Sequence, residues 1–163
     1  MGRLRWEVPM RCSRFALAAL AALIVFPFLM PAASTPNFAG AWLMDPAKSQ
    51  VEDGRTVSLT IESVSNKIKV VRVIRGKDGK EATSQFTCAT MGAECELDDA
   101  GHKAKVSVWY NGPALVILKT EGPKEDASDE WTMQLSPDTH TLTVALEHID
   151  PAGKDETLVF SKK

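Results

Sequence analysis

The sequence predicts an all-β protein, an antiparallel up-and-down meander of about eight to ten strands closing into a barrel. Three observations carry this. Apolar residues alternate with polar ones at period two through most of the chain after Ser34. Turn-forming clusters interrupt that alternation roughly every 8–12 residues. Consecutive runs are joined by short turns, so neighbours in sequence are expected to be neighbours in the sheet, and closing such a meander removes its exposed edges. A sandwich is the other arrangement open to the same pattern.

The strands follow in order. Val57, Leu59 and Ile61 alternate with Ser58, Thr60 and Glu62, and Ser65-Asn66 turns the chain. Ile68 to Ile74 is rich in Val and Ile, with Val71 and Val73 leaving both faces apolar and the register open. Gly76-Lys77-Asp78-Gly79 is a hairpin turn, and Ala82 to Cys88 is the next strand, with Phe86 its one large apolar residue. Gly92 is expected to break the chain before a short strand at Cys95 and Leu97, and Asp98 to Gly101 to turn it. Val106, Val108 and Tyr110 alternate with Lys105, Ser107 and Trp109, and Asn111-Gly112 reads as a two-residue hairpin. Leu115 to Thr120 is a strand, and the polar stretch Glu121 to Ala127 a loop. Trp131, Met133 and Leu135 share one face. Ser136-Pro137-Asp138 turns the chain into Leu142, Val144, Leu146 and His148, and Asp150 to Gly153 turns it into the last strand, Glu156 to Ser161. One helical turn is expected after the first strand, with Asp45 as cap, Pro46 at the first position and Ala47 to Gln50 following.

The N-terminus is set apart from this pattern. Arg3, Arg5, Arg11 and Arg14 precede an apolar run of 16 residues, Phe15 to Met30, and small residues follow at Ala32, Ala33 and Ser34. This is the layout of a Sec-type secretory signal peptide, cut after Ala33 or Ser34, and the run is shorter than the roughly 20 residues a membrane span needs. The expected organisation is therefore a cleaved signal at 1–34 and one domain at 35–163, exported to the periplasm or beyond, with membrane contact only through an uncleaved signal. Taking the four arginines and one glutamate of the signal from 19 basic and 21 acidic residues leaves 15 and 20, a net charge of about −5. That is no footprint for nucleic acid. Of three cysteines, Cys12 leaves with the signal. Cys88 and Cys95 remain, and an oxidising compartment pairs them.

The first mature strand carries Asn37-Phe38-Ala39-Gly40-Ala41-Trp42, followed by Asp45-Pro46-Ala47-Lys48-Ser49. Gly40-x-Trp42 at this place resembles the signature of the lipocalin and fatty-acid-binding superfamily. With its extension, and with Leu59 to Glu62, Lys69 to Arg72 and Leu142 to Val144, the chain resembles a group of bacterial exported lipocalin-like (calycin-type) proteins of uncharacterised function. The resemblance implies a lipocalin-like barrel whose Trp42 plugs one end while Gly40 admits close approach. It departs from the pattern twice. Lipocalins pack an arginine of the last strand across the tryptophan, where this chain offers Lys162 and Lys163. Residues 44–56 are also too few for the two-helix lid of intracellular fatty-acid-binding proteins.

A small barrel either fills its interior or holds one small ligand. The expected core is Val57, Leu59, Ile61, Ile68, Val70, Phe86, Val106, Val108, Trp131, Met133, Leu135, Leu142, Val144 and Leu146. Two polar residues share those phases: Arg72 continues Ile68 and Val70, and His148 continues Leu146. Arg72 offers a bidentate contact to a ligand carboxylate; at strand ends both instead reach solvent. With Tyr110 at a pocket mouth and Phe86 and Trp131 as apolar lining, Arg72 and His148 make the expected ligand-binding set. Catalytic residues, metal ligands and cofactors are expected to be absent: His102, His140 and His148 have no metal spacing, and no nucleophile elbow or phosphate loop is present. Two functions follow. One is a binder of a small apolar or amphipathic molecule. The other is a filled barrel serving as a structural or protein-interaction domain of the cell envelope, with Trp109 facing outward in its contact surface.

Overall fold

The computed structural model describes residues 35–51, 53–121 and 126–163. The signal-peptide reading falls on residues 1–34 and lies outside them. Ten strands run in chain order: β1 Gly40–Met44, β2 Thr56–Val64, β3 Lys67–Arg75, β4 Glu81–Ala89, β5 Met91–Asp99, β6 His102–Asn111, β7 Ala114–Glu121, β8 Asp126–Leu135, β9 Thr141–His148 and β10 Glu156–Lys162. Every strand pairs antiparallel with its sequence neighbours, and β1 pairs with β10 to close the barrel. The all-β closed meander predicted from the alternation is the observed fold.

Apolar positions at period two all turn inward. The expected core residues are buried, except that Leu135 is half-buried and packed against the rest. Phe38, Trp42, Met44, Cys88, Leu97, Ala104, Leu115, Ile117, Leu158 and Phe160 complete the core. The ambiguous strand resolves with Ile68 and Val70 buried, and Val71 and Val73 half-buried.

Three local readings change. β5 starts at Met91 and runs through Gly92, which takes a φ of +81° at a register shift between Met91 and Glu94. A glycine that looks like a break in sequence here accommodates a bulge, so the strand continues. The hairpin after β6 places Asn111 opposite Ala114, so its loop is Gly112-Pro113. β8 begins at Asp126, extending into the stretch read as loop, because β7 carries its ladder out to Glu121↔Asp126. After β1, Asp45 to Ser49 forms one hydrogen-bonded turn: the Ser49 N–H donates to the Asp45 carbonyl at 3.1 Å, and the Asp45 carboxylate accepts from the Ala47 N–H at 3.0 Å. The chain then rejoins β10 at Gln50↔Thr157, which leaves no length for a helix.

The β4–β5 ladder is the shortest between consecutive strands, pairing only Ser84 to Phe86 with Asp99 to Leu97. Beyond it Cys88 and Cys95 form a disulfide, with Cα atoms 5.5 Å apart. The expected pairing is present, and it joins two strands where their hydrogen bonds have stopped.

Candidate functional site

The meander gives the barrel two unlike ends. One gathers the start of β1, the β2–β3, β4–β5, β6–β7 and β8–β9 turns and the end of β10. There Trp42 is 1% exposed, and its indole N–H donates to the Phe38 carbonyl at 3.0 Å. Phe38 in turn meets Tyr110, ring centroids 6.3 Å apart. Tyr110 is therefore part of the plug, and burial pushes its phenol pKa up. The Lys162 ammonium lies 5.3 Å from the centre of the Trp42 ring, the place the resemblance gives to an arginine. Gly40, at φ +149°, makes room for it: a Cβ there would sit 2.7 Å from Lys162 Cε.

The other end is a charged mouth. The inward phases of several strands end there in polar residues. Arg72 donates through Nη2 to Ser84 Oγ at 3.1 Å and to Asp99 Oδ1 at 3.2 Å, and its guanidinium stands 4.4 Å over the Trp131 ring. The Ser84 hydroxyl donates to the same Asp99 oxygen. Lys119 donates to Asp99 Oδ2 at 2.8 Å, pairs with Glu121 at 2.7 Å, and lies 3.8 Å from Asp129. Asp129 Oδ1 is 2.7 Å from His148 Nδ1. Arg55 pairs with both Asp53 and Glu156. A bulge in β8 opposite Lys119 and Thr120 adds Ser128, which is buried and whose carbonyl accepts from Ile149 N–H at 2.8 Å. Bulges commonly re-aim side chains beside sites, and this one lies next to Asp129.

The protonation states follow from burial against pairing. Burial pushes the Asp99 carboxyl up, but the hydrogen bonds from Lys119 and Ser84 and the charges of Arg72 and Lys119 outweigh it and hold it below the usual carboxylate range. Burial works against the Lys119 ammonium, and Asp99 and Glu121 outweigh it in turn, raising its pKa. For Arg72 burial wins and lowers the pKa, with Asp99 and Asp129 opposing. Among the described residues, Arg72 Nε is the buried side-chain polar atom with no hydrogen-bond partner.

Beneath this ring an apolar shaft of about 30 Å³ runs between Val57, Leu59, Met133, Val144, Leu158 and Phe160. A space this small and apolar takes no guest of ordinary small-molecule size. Above it the mouth widens to a pocket of about 400 Å³ bordered by Asp53, Asp129 and His148. Arg55, Arg72, Ile74, Trp131 and Leu146 line both shaft and pocket, so the two adjoin, with an apolar floor below and a charged rim above.

The structure thus brings Arg72, His148 and Trp131 together. Tyr110 sits in the plug at the far end, and Phe86 is buried opposite Leu97. The sequence reading missed Asp99, Lys119, Asp129, Arg55 and Glu156. Each continues an apolar inward phase by two residues: Asp99 after Leu97, Lys119 after Ile117, Asp129 before Trp131, Arg55 before Val57 and Glu156 before Leu158. The rule that selected Arg72 and His148, applied to every strand end, selects these as well. Among the described residues no group of three His, Cys, Asp or Glu side chains is arranged to hold a metal ion.

No protein-family model matches the chain, and no curated protein is significantly similar to it. The chain is a ten-stranded antiparallel closed β-barrel, consistent with a lipocalin-like barrel, plugged at one end and polar at the other.

Proposed function

We propose that this chain is an exported lipocalin-like binding protein that takes a small amphipathic molecule at the mouth of the barrel. The observation that carries the reading is the shared lining of shaft and mouth, which sets an apolar floor of Ile74, Trp131 and Leu146 under a polar rim. A space of about 400 Å³ with this make-up falls in the range of small-molecule sites. The shaft is too small for a long tail, so the guest lies across the mouth with its apolar part on that floor. Export is supported by the Cys88–Cys95 disulfide and the signal-like residues 1–34; among the described residues no helix is long and apolar enough to cross a membrane. The reading is one of binding: the rim's cations are already held by carboxylates.

The narrow shaft also favours a second reading, a filled barrel working through its outer face. Met91, 78% exposed, stands opposite the half-buried Trp109, which in turn stands opposite Val116. Native mass spectrometry of the protein released by its host, followed by organic extraction, separates the two. The binding reading expects one small amphipathic molecule per chain, lost on Leu146→Trp, which fills the floor. A bare mass with no uptake of apolar probes overturns it in favour of the outer face.

A further inference from the structure

We infer that the mouth is built for a zwitterion, a free α-amino acid with a large apolar side chain, whose carboxylate lies between Arg55 and Arg72, whose ammonium meets Asp129 and whose side chain rests on Ile74, Trp131 and Leu146. The inference rests on the binding reading above and specifies its ligand. Charged side chains of both signs border the pocket, Arg55 and Arg72 with Asp53 and Asp129. Their partners leave capacity unused. Arg72 spends Nη2 on Ser84 and Asp99, and its Nε is buried, out of reach of a guest. Among the described residues Nη1 has no hydrogen-bond partner, and unlike Nε it is not sealed off, so it is the donor Arg72 presents to the pocket. Arg55 is held by Asp53 and Glu156, and among the described residues no carboxylate is shared between it and Arg72. Burial is the main influence lowering the Arg72 pKa, and the charge of Arg55 adds to it, so the two guanidiniums repel across a place that an anion would fill. Asp129 gives one oxygen to His148 at 2.7 Å. Its other oxygen lies 3.8 Å from Lys119 and 3.5 Å from the Ser128 hydroxyl, contacts too long to saturate it. The charge of Asp129 reaches Arg72, yet each is paired elsewhere, Arg72 with Asp99 and Asp129 with His148. This mixed lining decides against either ion alone. A lone carboxylate on the arginines brings its charge towards Asp53 and Asp129, and a lone ammonium on Asp129 brings its charge towards Arg55 and Arg72, in a partly desolvated place where repulsion is poorly screened. A zwitterion sets each charge against its opposite and leaves the balance of the pocket unchanged. The floor sets the size: three side chains cover one apolar group, and the shaft beneath is too narrow for a long chain.

The test removes one charge of the guest at a time. Calorimetric titration of the protein released by its host, dialysed free of small molecules, uses three probes on one skeleton: phenylalanine, 3-phenylpropanoate, which lacks the ammonium, and 2-phenylethylamine, which lacks the carboxylate. Phenylalanine is expected to bind at least about tenfold tighter than either, the worth of one charge-assisted hydrogen bond. Arg72→Lys keeps a charge beside Asp99 but has no second nitrogen for the pocket. It is expected to weaken phenylalanine and 3-phenylpropanoate about tenfold and to leave 2-phenylethylamine unchanged. Asp129→Asn is expected to weaken phenylalanine and 2-phenylethylamine about tenfold and to leave 3-phenylpropanoate no weaker. Tighter binding of either single-charge probe than of phenylalanine overturns the inference, and so does a phenylalanine affinity indifferent to either substitution. If the inference fails in one of these ways and Leu146→Trp abolishes the binding that is seen, the binding reading stands and only the zwitterion is wrong. If no probe binds, the inference falls, and the binding reading falls with it where the native mass is also bare. Should Arg72→Lys fail to fold, Arg55→Gln tests the same carboxylate seat.

Discussion

The two ends of the barrel use the same device to opposite effect. At the plug, the Lys162 ammonium lies 5.3 Å from the Trp42 ring and remains at the exposed surface. At the mouth, the Arg72 guanidinium lies 4.4 Å over the Trp131 ring with less than a quarter of its side chain exposed. The outer cation keeps its hydration, so its contact adds little and is not expensive to make. The inner one loses hydration, and only Asp99 and its neighbours offset the cost. A barrel end built from Phe38, Trp42 and Tyr110 is stable mainly by apolar burial. An end built from paired charges is stable only while every partner is present, which is a reason to expect function there and not at the plug.

That contrast is tested first by removing the plug. Trp42→Ala deletes the largest fully buried side chain and should cost about 3–5 kcal/mol, read as a fall in the urea midpoint. Loss of less than about 1 kcal/mol would mean the end refills and the plug is not what holds the barrel closed. At the mouth the corresponding change is Asp99→Leu, which strands Arg72 and takes one of the carboxylates from Lys119. It should cost about 2–3 kcal/mol, below the fully buried case because all three side chains keep some exposure. Arg72→Met added to it should recover part of the loss, since an apolar pair in place of an ion pair is often neutral. No corresponding recovery is available to Trp42→Ala.

The disulfide belongs to the plugged half, where the β4–β5 ladder has already ended. Replacing both Cys88 and Cys95 with alanine should cost about 2–3 kcal/mol by the chain-entropy estimate for a loop of this size. A cost near zero would place the seam's stability in side-chain packing and not in the cross-link.

Acid should distinguish the ends through the carboxylate at the mouth. Asp99 has a folded pKa below its unfolded value, so its stabilising effect is full above the ordinary carboxylate range, near pH 4, and is lost as pH falls through the folded value. Lys119 has the opposite sign: its contribution is full below the ordinary lysine range and is lost as pH rises through its raised folded value. Urea midpoints taken from about pH 5 to about pH 2 should fall in the parent protein and in Trp42→Ala alike, and fall less in Asp99→Asn. An unchanged acid limb in Asp99→Asn would move the titrating carboxylate elsewhere.

The plug was largely legible in sequence and the mouth was not, for a physical reason. Apolar alternation writes the core directly, and the Gly40-x-Trp42 pattern marks the plug. Polar residues at the strand ends follow the same phase, but phase alone does not show whether a charged side chain there turns in to a partner or out to water. Which one occurs depends on partners distant in sequence. Asp99 sits in a run of turn residues, and nothing local shows that Arg72 and Lys119 wait on other strands. Ser128 is extra to its ladder and falls outside period two altogether. Lys162 was visible as a departure from arginine, but its reach over Trp42 depends on the empty space above Gly40.

That last dependence gives the finest test of the comparison. An exposed cation over an indole is worth about 0.5–1 kcal/mol, so Lys162→Ala should cost no more than that. Lys162→Arg, which adds a planar group able to stack, should match or slightly exceed the parent. Gly40→Ala loses on two counts: its Cβ would sit 2.7 Å from Lys162 Cε, and a φ of +149° strains any residue with a side chain. Only the first count vanishes when Lys162 is already alanine. The cost of Gly40→Ala should therefore be smaller in the Lys162→Ala background, by about 0.5 kcal/mol, the worth of the contact it no longer disturbs. Equal costs in both backgrounds would make Gly40 a matter of backbone strain alone and leave Lys162 a bystander above the plug. A difference of the expected size would make the two residues a single device, in which the missing side chain on β1 is what lets a cation from β10 close the end.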